Sequence, residues 1–158
     1  MEEGLEIHER ARKVFPKGHF IKDSNISVAE KTKEILKDES IPVIFEATFL
    51  ANGFIAKANI LKREKSGWHI IEIKSKVKGD KEIRRRDKED LINDIAYTAM
   101  VATQAGLNVI KCSLMLISKD YRLGMTNEKI FKEIIYTDEA LQRTKDFKTS
   151  CKMFCKIY

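Results

Sequence analysis

Glu72 and Lys74 are the two residues of this sequence whose types and spacing best suit catalysis. They are two positions apart in residues 68–75, a segment rich in Ile that we predict to be a strand, so both side chains point to one face. A carboxylate binds Mg²⁺, and a nearby ammonium group stabilises developing negative charge. The pair therefore suits metal-dependent hydrolysis of a phosphodiester. It equally suits an edge strand that exposes both charges to water, and the spacing alone leaves both interpretations open.

Two earlier segments carry further oxygen ligands. Residues 43–49 and 54–62 are β-prone, and Asn52-Gly53 between them is a turn signal. With residues 68–75 they predict an antiparallel meander that brings Glu46 and Asn59 within reach of Glu72. Along residues 54–62 the alternation predicts two faces: Phe54, Ala56, Ala58 and Ile60 on one, and Ile55, Lys57, Asn59 and Leu61 on the other.

Helical periodicity surrounds the meander. It predicts helices over residues 3–13, 27–38, 87–105 and 138–152, and strands over residues 108–118 and 130–136. The strand at 108–118 follows a helix, so it can pair in parallel with the meander. The predicted fold class is α/β, with a mixed central sheet flanked by helices. The 158 residues correspond to one domain, residues 1–158, which is either a protein by itself or a fragment of a longer one.

The composition of the chain indicates its cellular location and the kind of partner it binds. The chain has a net charge of +6, a mild bias towards anionic partners, and 43% hydrophobic residues. It has no apolar run of about 20 residues that would span a bilayer, and its charged N-terminus is unlike a signal peptide, so we expect a cytoplasmic protein that binds no membrane. Cys151 and Cys155 form half of a four-cysteine metal or cluster site at most, so we interpret them as free thiols.

An ordered series of motifs resembles the PD-(D/E)XK nuclease superfamily, in the RecB-like branch related to the CRISPR-associated exonucleases. The likeness is greatest to an uncharacterised bacterial family with this nuclease domain, and it covers roughly residues 4–137. Its motifs are FPKG at 15–18, EATF at 46–49, AKANIL at 56–61, IEIKS at 71–75 and DIAY at 94–97.

The resemblance implies a restriction-endonuclease-like fold and a role for each matching residue. Lys74, Glu72 and Asn59 would be catalytic. Mg²⁺ or Mn²⁺ would be held by Glu72, by the residue at position 59, by Glu46 as an accessory acid and by the carbonyl of Ile73. From the first helix, either Glu6 or Glu9 would contribute, whereas we interpret His8 as a solvated helix residue.

Two positions depart from the family pattern. Asn59 stands where the family has a metal-binding aspartate, and an amide oxygen carries no charge. Thr98 stands in the helix where relatives often have a glutamine that orients the site, and threonine is too short to reach as far. Together they indicate a decayed or repurposed nuclease site more than an engineered change.

A basic segment follows the candidate strand. Residues 74–88 contain eight Lys or Arg and three acidic residues. Such a run suits sequence-independent contact with a DNA backbone, although a solvated loop has the same composition. The predicted DNA-binding residues are Lys76, Lys78, Lys81, Arg84, Arg85 and Arg86.

Two functions are compatible with these observations. One is a metal-dependent DNA nuclease, of exonuclease or single-strand type, either active or inactivated at Asn59. The other is a non-catalytic DNA-binding module that retains the nuclease fold.

Overall fold

The computed structural model describes residues 2–22, 27–74, 85–117 and 124–155, with the side chains of residues 2–5, 85–86 and 148–155 outside the description. Its strands are β1 (His19–Phe20), β2 (Val43–Ala51), β3 (Phe54–Arg63), β4 (Trp68–Lys74), β5 (Val109–Ile117) and β6 (Phe131–Ile135). Its helices are α1 (Glu2–Lys13), α2 (Ser27–Leu36), α3 (Arg85–Gln104), α4 (Asn127–Ile130) and α5 (Thr137–Cys155).

The strands form one mixed sheet whose order follows the chain, β1-β2-β3-β4-β5-β6. β2, β3 and β4 make the predicted antiparallel meander. β5 pairs in parallel with β4 after α3 crosses between them, and β6 pairs antiparallel with β5. The predicted fold class is therefore confirmed. Gly106, with φ +101°, follows the end of α3, where glycine commonly ends a helix.

Hydrophobic side chains cover both faces of the sheet. The larger core packs α2, α3 and α5 on one face through side chains such as Val28, Ile95 and Ala140. The smaller core lies on the opposite face, where Ala11 of α1 meets Phe45, Ile71 and neighbouring side chains. Helices thus lie on both faces of the meander, and α1 and α3 flank its carboxylate-bearing strands.

β1 and α4 were not predicted from the sequence. β1 has only two residues, too few for any alternation, and it exists because it pairs in parallel with Ile44 and Phe45 of β2. α4 is a single turn of four residues before β6. Elements this short depend on tertiary contacts more than on local sequence pattern.

The predicted alternation along β3 is wrong at its centre. Ala56, Ala58 and Leu61 contribute to the larger core, whereas Ile60 contributes to the smaller one. Opposite this point on β2, Glu46 has φ +62°. A left-handed residue rotates the strand, so the side chains after it change faces relative to a regular alternation.

Gly18 allows the chain to turn from α1 into β1. A Cβ at this position would overlap the ring of Phe45, which is buried in the smaller core. The glycine of the FPKG motif therefore has a packing reason: only a residue without a side chain lets the backbone lie on that ring.

We expect Gly18→Ala to lower the free energy of unfolding by about 1–3 kcal/mol, the usual cost of overpacking a core. Urea denaturation followed by circular dichroism measures it. Gly53→Ala is the matched control for space, because a Cβ at Gly53 meets no atom within 4 Å. Gly53 has φ +79°, so that control carries a backbone penalty of its own. A Gly18→Ala protein as stable as the parent would contradict the packing argument.

His69 is a buried histidine at the start of β4, 2% exposed. The Ser113 hydroxyl donates to Glu133 Oε1 at 2.7 Å, so His69 Nε2–H donates to Ser113 Oγ at 2.7 Å. Nδ1 then carries the lone pair and has no hydrogen-bond partner among the described residues. Burial lowers the pKa of His69 to about 4, against the opposing effect of the Glu133 carboxylate.

From the low pKa of His69 we predict a loss of stability in mild acid. Between pH 6.5 and 4 the unfolded chain binds a proton at His69 and the folded chain does not, so stability falls as the pH falls. From pH 7 to pH 5 we expect the free energy of unfolding to fall by about 2 kcal/mol more in the parent than in His69→Gln. Urea denaturation at both pH values measures it, with His19→Gln, at an exposed position, as the control. Equal pH dependence in His69→Gln and the parent would contradict it.

Candidate active site

The sheet opens between β3 and β4 at the predicted site. Pairing of these strands runs from Arg63 opposite Trp68 to Ile60 opposite Ile71 and ends there. Beyond this point β3 stays paired with β2, and β4 stays paired with β5 as far as Lys74. Asn59 and Glu72 are the first residues past the last β3–β4 pair, so they line the gap between the diverging strands.

Asn59 bridges this gap with its side chain. Its Oδ1 accepts a hydrogen bond from the backbone N–H of Ile73 at 3.0 Å. The amide thus replaces the ladder bond that β4 loses where the strands separate. A carboxylate oxygen accepts the same bond, so an aspartate at position 59 would preserve this contact.

Glu72 and Lys74 share one face of β4, as predicted, and this face is turned towards α3. Lys74 Nζ lies 3.5 Å from Glu72 Oε1 and 3.2 Å from Asp94 Oδ2 on α3. The Glu72 side chain is only 15% exposed. Burial raises the pKa of Glu72 and the Asp94 and Glu46 carboxylates raise it further, whereas Lys74 lowers it. A buried carboxylate beside two others is a site where an added cation is favourable.

Glu46 lies opposite Asn59 on β2, between the pairs Phe45–Ile60 and Ala47–Ala58. Its left-handed backbone turns the carboxylate towards α1, where Oε1 is 3.6 Å from His8 Nδ1. Lys57 Nζ is 3.9 Å from its other oxygen. A non-glycine residue in this conformation costs about 1–3 kcal/mol, and such residues are concentrated at functional sites.

The first helix contributes a residue other than the two acids the resemblance suggested. Glu6 forms an ion pair with Arg10 at 2.9 Å, and Glu9 lines a cavity beside β1. Among the described side chains of α1, His8 contacts the site, through Glu46. Its side chain is 32% exposed, so it is partly solvated and also faces the strand that carries Glu46.

Asp94 and Lys57 reach the site but were not proposed from the sequence. Asp94 belongs to the DIAY motif, and its position one helical turn before Thr98 was the available signal. Thr98 is buried, and its hydroxyl donates to the backbone carbonyl of Asp94 at 3.2 Å. The Thr98 hydroxyl thus donates its hydrogen bond within α3.

Several predicted residues lie outside the description. Lys76, Lys78, Lys81 and Arg84 belong to residues 75–84, which the structure does not describe. Arg85 and Arg86 begin α3, and Cys151 and Cys155 lie in α5, but their side chains are among those not described. Their proposed roles stay predictions.

The residues at the gap carry the type of donor atom that a hard divalent cation binds, but the structure brings only some of these donors together. Glu72, Glu46 and the Asn59 amide supply the oxygen donors that Mg²⁺ and Mn²⁺ prefer. Glu46 turns towards α1 and Glu72 towards α3, and within the described residues no group of three or more His, Cys, Asp or Glu side chains is arranged to hold a metal ion. One more carboxylate at position 59 would place a negative charge between the two.

The chain matches no family model, and it matches no curated protein. Among the described helices, none combines the length and apolar character needed to cross a membrane.

Proposed function

We propose that this domain is a metal-dependent DNA nuclease whose site is built around Glu72 and Lys74 and weakened at Asn59. The observation that carries the proposal is the end of β3–β4 pairing at Ile60 and Ile71, beyond which Asn59 accepts a hydrogen bond from the backbone N–H of Ile73, the residue between Glu72 and Lys74. We propose that a phosphodiester binds where these strands separate, next to the buried Glu72 carboxylate and Lys74.

The residues of the gap have separate roles in this proposal. Glu72, Asn59 and Glu46 would hold Mg²⁺ or Mn²⁺, with the carbonyl of Ile73 as a further ligand. The bound ion would polarise the phosphate and lower the pKa of an attacking water. The Lys74 ammonium is held by Glu72 and Asp94, and it would offset negative charge on the phosphate.

The proposed substrate is DNA, contacted through its backbone. The net charge of +6 and the basic residues of segment 74–88 suit sequence-independent binding that weakens with salt. Because the candidate gap lies between strands of a small domain, we propose that it accepts chain ends or single strands.

Cleavage of end-labelled single- and double-stranded DNA with Mn²⁺ and with Mg²⁺ tests the proposal. The parent chain, Asn59→Asp, and Asn59→Asp combined with Lys74→Ala are compared. We expect Asn59→Asp to cut and the double variant not to cut. Cleavage that is unchanged by Lys74→Ala would overturn the assigned site.

The second candidate is a DNA-binding module without catalysis. It is favoured by the lysines that already accompany both carboxylates, Lys74 at Glu72 and Lys57 at Glu46. Salt-dependent DNA binding by all three proteins, with no cleavage by any of them, would support this candidate over the nuclease.

A further inference from the structure

A cavity of about 450 Å³ opens between α1 and β1. Its walls include Arg12, Lys13 and Glu9 from α1, and Phe15, Phe20 and Phe45. The volume lies within the range of small-ligand sites in proteins. The role proposed above for the gap between β3 and β4 uses none of these side chains.

The cavity adjoins the candidate site along two elements. Phe45 in its wall directly precedes Glu46 on β2. Arg12 lies one helical turn after His8, whose ring contacts Glu46. One turn is a rise of about 5.4 Å, so the cavity adjoins the site on its α1 side, next to Glu46.

The side chains in the cavity wall combine an aromatic ring with two positive charges that have no carboxylate in direct contact among the described residues. The Arg12 guanidinium lies 4.1 Å from the centroid of the Phe20 ring, and Phe20 is 36% exposed. In the described part of the chain, neither Arg12 nor Lys13 has a carboxylate within 4.0 Å. Proteins that bind single strands use this combination, with bases stacked on aromatic or guanidinium planes and cations along the backbone.

We propose that this cavity binds one nucleotide of a single-stranded DNA segment, with its base stacked on the Arg12–Phe20 pair and its phosphate near Lys13. The inference rests on the proposed function, because it assigns part of the same substrate. Glu9 is the carboxylate in the cavity wall, and it opposes the phosphate. Glu9→Gln is therefore expected to tighten binding, which distinguishes an anionic ligand from an apolar one.

Fluorescence anisotropy with a labelled oligo-dT, in EDTA so that no cleavage occurs, tests the site. We expect Phe20→Ala to weaken binding about tenfold or more. Arg12→Ala should also weaken it, and Lys13→Ala should reduce the slope of log affinity against log salt by about 0.7, the value for one phosphate of a single strand. Lys65→Ala, at an exposed turn position, is the control for lost charge.

A second variant guards against loss of folding in Phe20→Ala. Phe20→Trp keeps the stacking surface, so it should bind oligo-dT at least as well as the parent, with its fluorescence quenched on binding. The proposal is overturned if oligo-dT does not bind, if Phe20→Ala binds like the parent, or if Glu9→Gln weakens binding.

The two proposals can fail separately. If Asn59→Asp cuts DNA but substitutions at Phe20 and Arg12 change neither binding nor cleavage, the cavity is not a subsite and the nuclease proposal stands. If no variant cuts but these substitutions weaken binding of oligo-dT, the cavity binds DNA and the nuclease proposal fails.

Discussion

Asn59→Asp is expected to raise metal-dependent cleavage of DNA roughly 100-fold or more, the size of effect seen when one charge-stabilising group of an active site is changed. The replacement keeps the acceptor for the Ile73 N–H, since a carboxylate oxygen takes the place of Oδ1. The lost Nδ2 has no hydrogen-bond partner among the described residues. The main change is therefore one negative charge placed opposite Glu46 and beside Glu72.

The same charge should make stability depend on metal. Without a divalent ion the new carboxylate repels Glu46 and Glu72, so Asn59→Asp should unfold at a lower temperature than the parent in EDTA. Saturating Mn²⁺ should reverse this, because an ion at 100 times its dissociation constant stabilises the folded state by about 2.7 kcal/mol. Thermal unfolding with and without Mn²⁺ measures the effect.

Asn52→Asp is the matched control for charge. It adds the same charge at the turn of the same hairpin, where Asp-Gly suits the turn as well as Asn-Gly does. Asn52 is exposed and bonds Gln104 at 3.2 Å, with its backbone at φ +50°. If Mn²⁺ raised the unfolding temperature equally in both variants, the added charge would act wherever it was placed. Position 59 would then not be a metal ligand.

The position of Glu72 and Lys74 followed from local rules. Residues two apart on a strand share a face whatever the fold, and the Ile residues around them mark the strand. The meander could also be predicted, because Asn52-Gly53 marks the turn between its first two strands. The parallel placement of β5 could be predicted because a helix separates it from β4 in the sequence.

The rest depends on contacts distant in sequence. His8 and Asp94 reach the site because α1 and α3 pack on opposite faces of the meander, and no local pattern gives the rotation of either helix about its axis. The face change at Ile60 follows from the positive φ of Glu46, which propensities do not predict for a glutamate. The bond from Ile73 to Asn59 exists because the β3–β4 ladder ends there, and the end of a ladder is a property of the whole sheet.

Glu72→Gln is expected to make the protein more stable at neutral pH and to abolish cleavage in the Asn59→Asp background. Burial raises the pKa of Glu72 above its unfolded value. The folded state therefore holds the proton more tightly, and the stability that this carboxyl contributes is present below the unfolded pKa and lost as the pH rises through the folded pKa. At pH 7 to 8 the ionised side chain lowers the free energy of unfolding.

Glutamine removes that charge at nearly constant shape, and Lys74 keeps Asp94 as a partner at 3.2 Å. We expect a gain of about 0.5–2 kcal/mol at pH 7.5, in the range typical of relieving an unfavourable functional residue, and a smaller gain at pH 5. Urea denaturation at both pH values measures it, with Glu39→Gln, at an exposed position, as the control.

Cleavage and binding should separate in this variant. Glu72→Gln removes one carboxylate ligand from the gap, so Mn²⁺-dependent cleavage should be lost. DNA binding should persist or strengthen, because the gap then carries one negative charge fewer. If Glu72→Gln changed neither the stability at neutral pH nor the cleavage, both roles assigned to Glu72, an unfavourable buried charge and a metal ligand, would be contradicted.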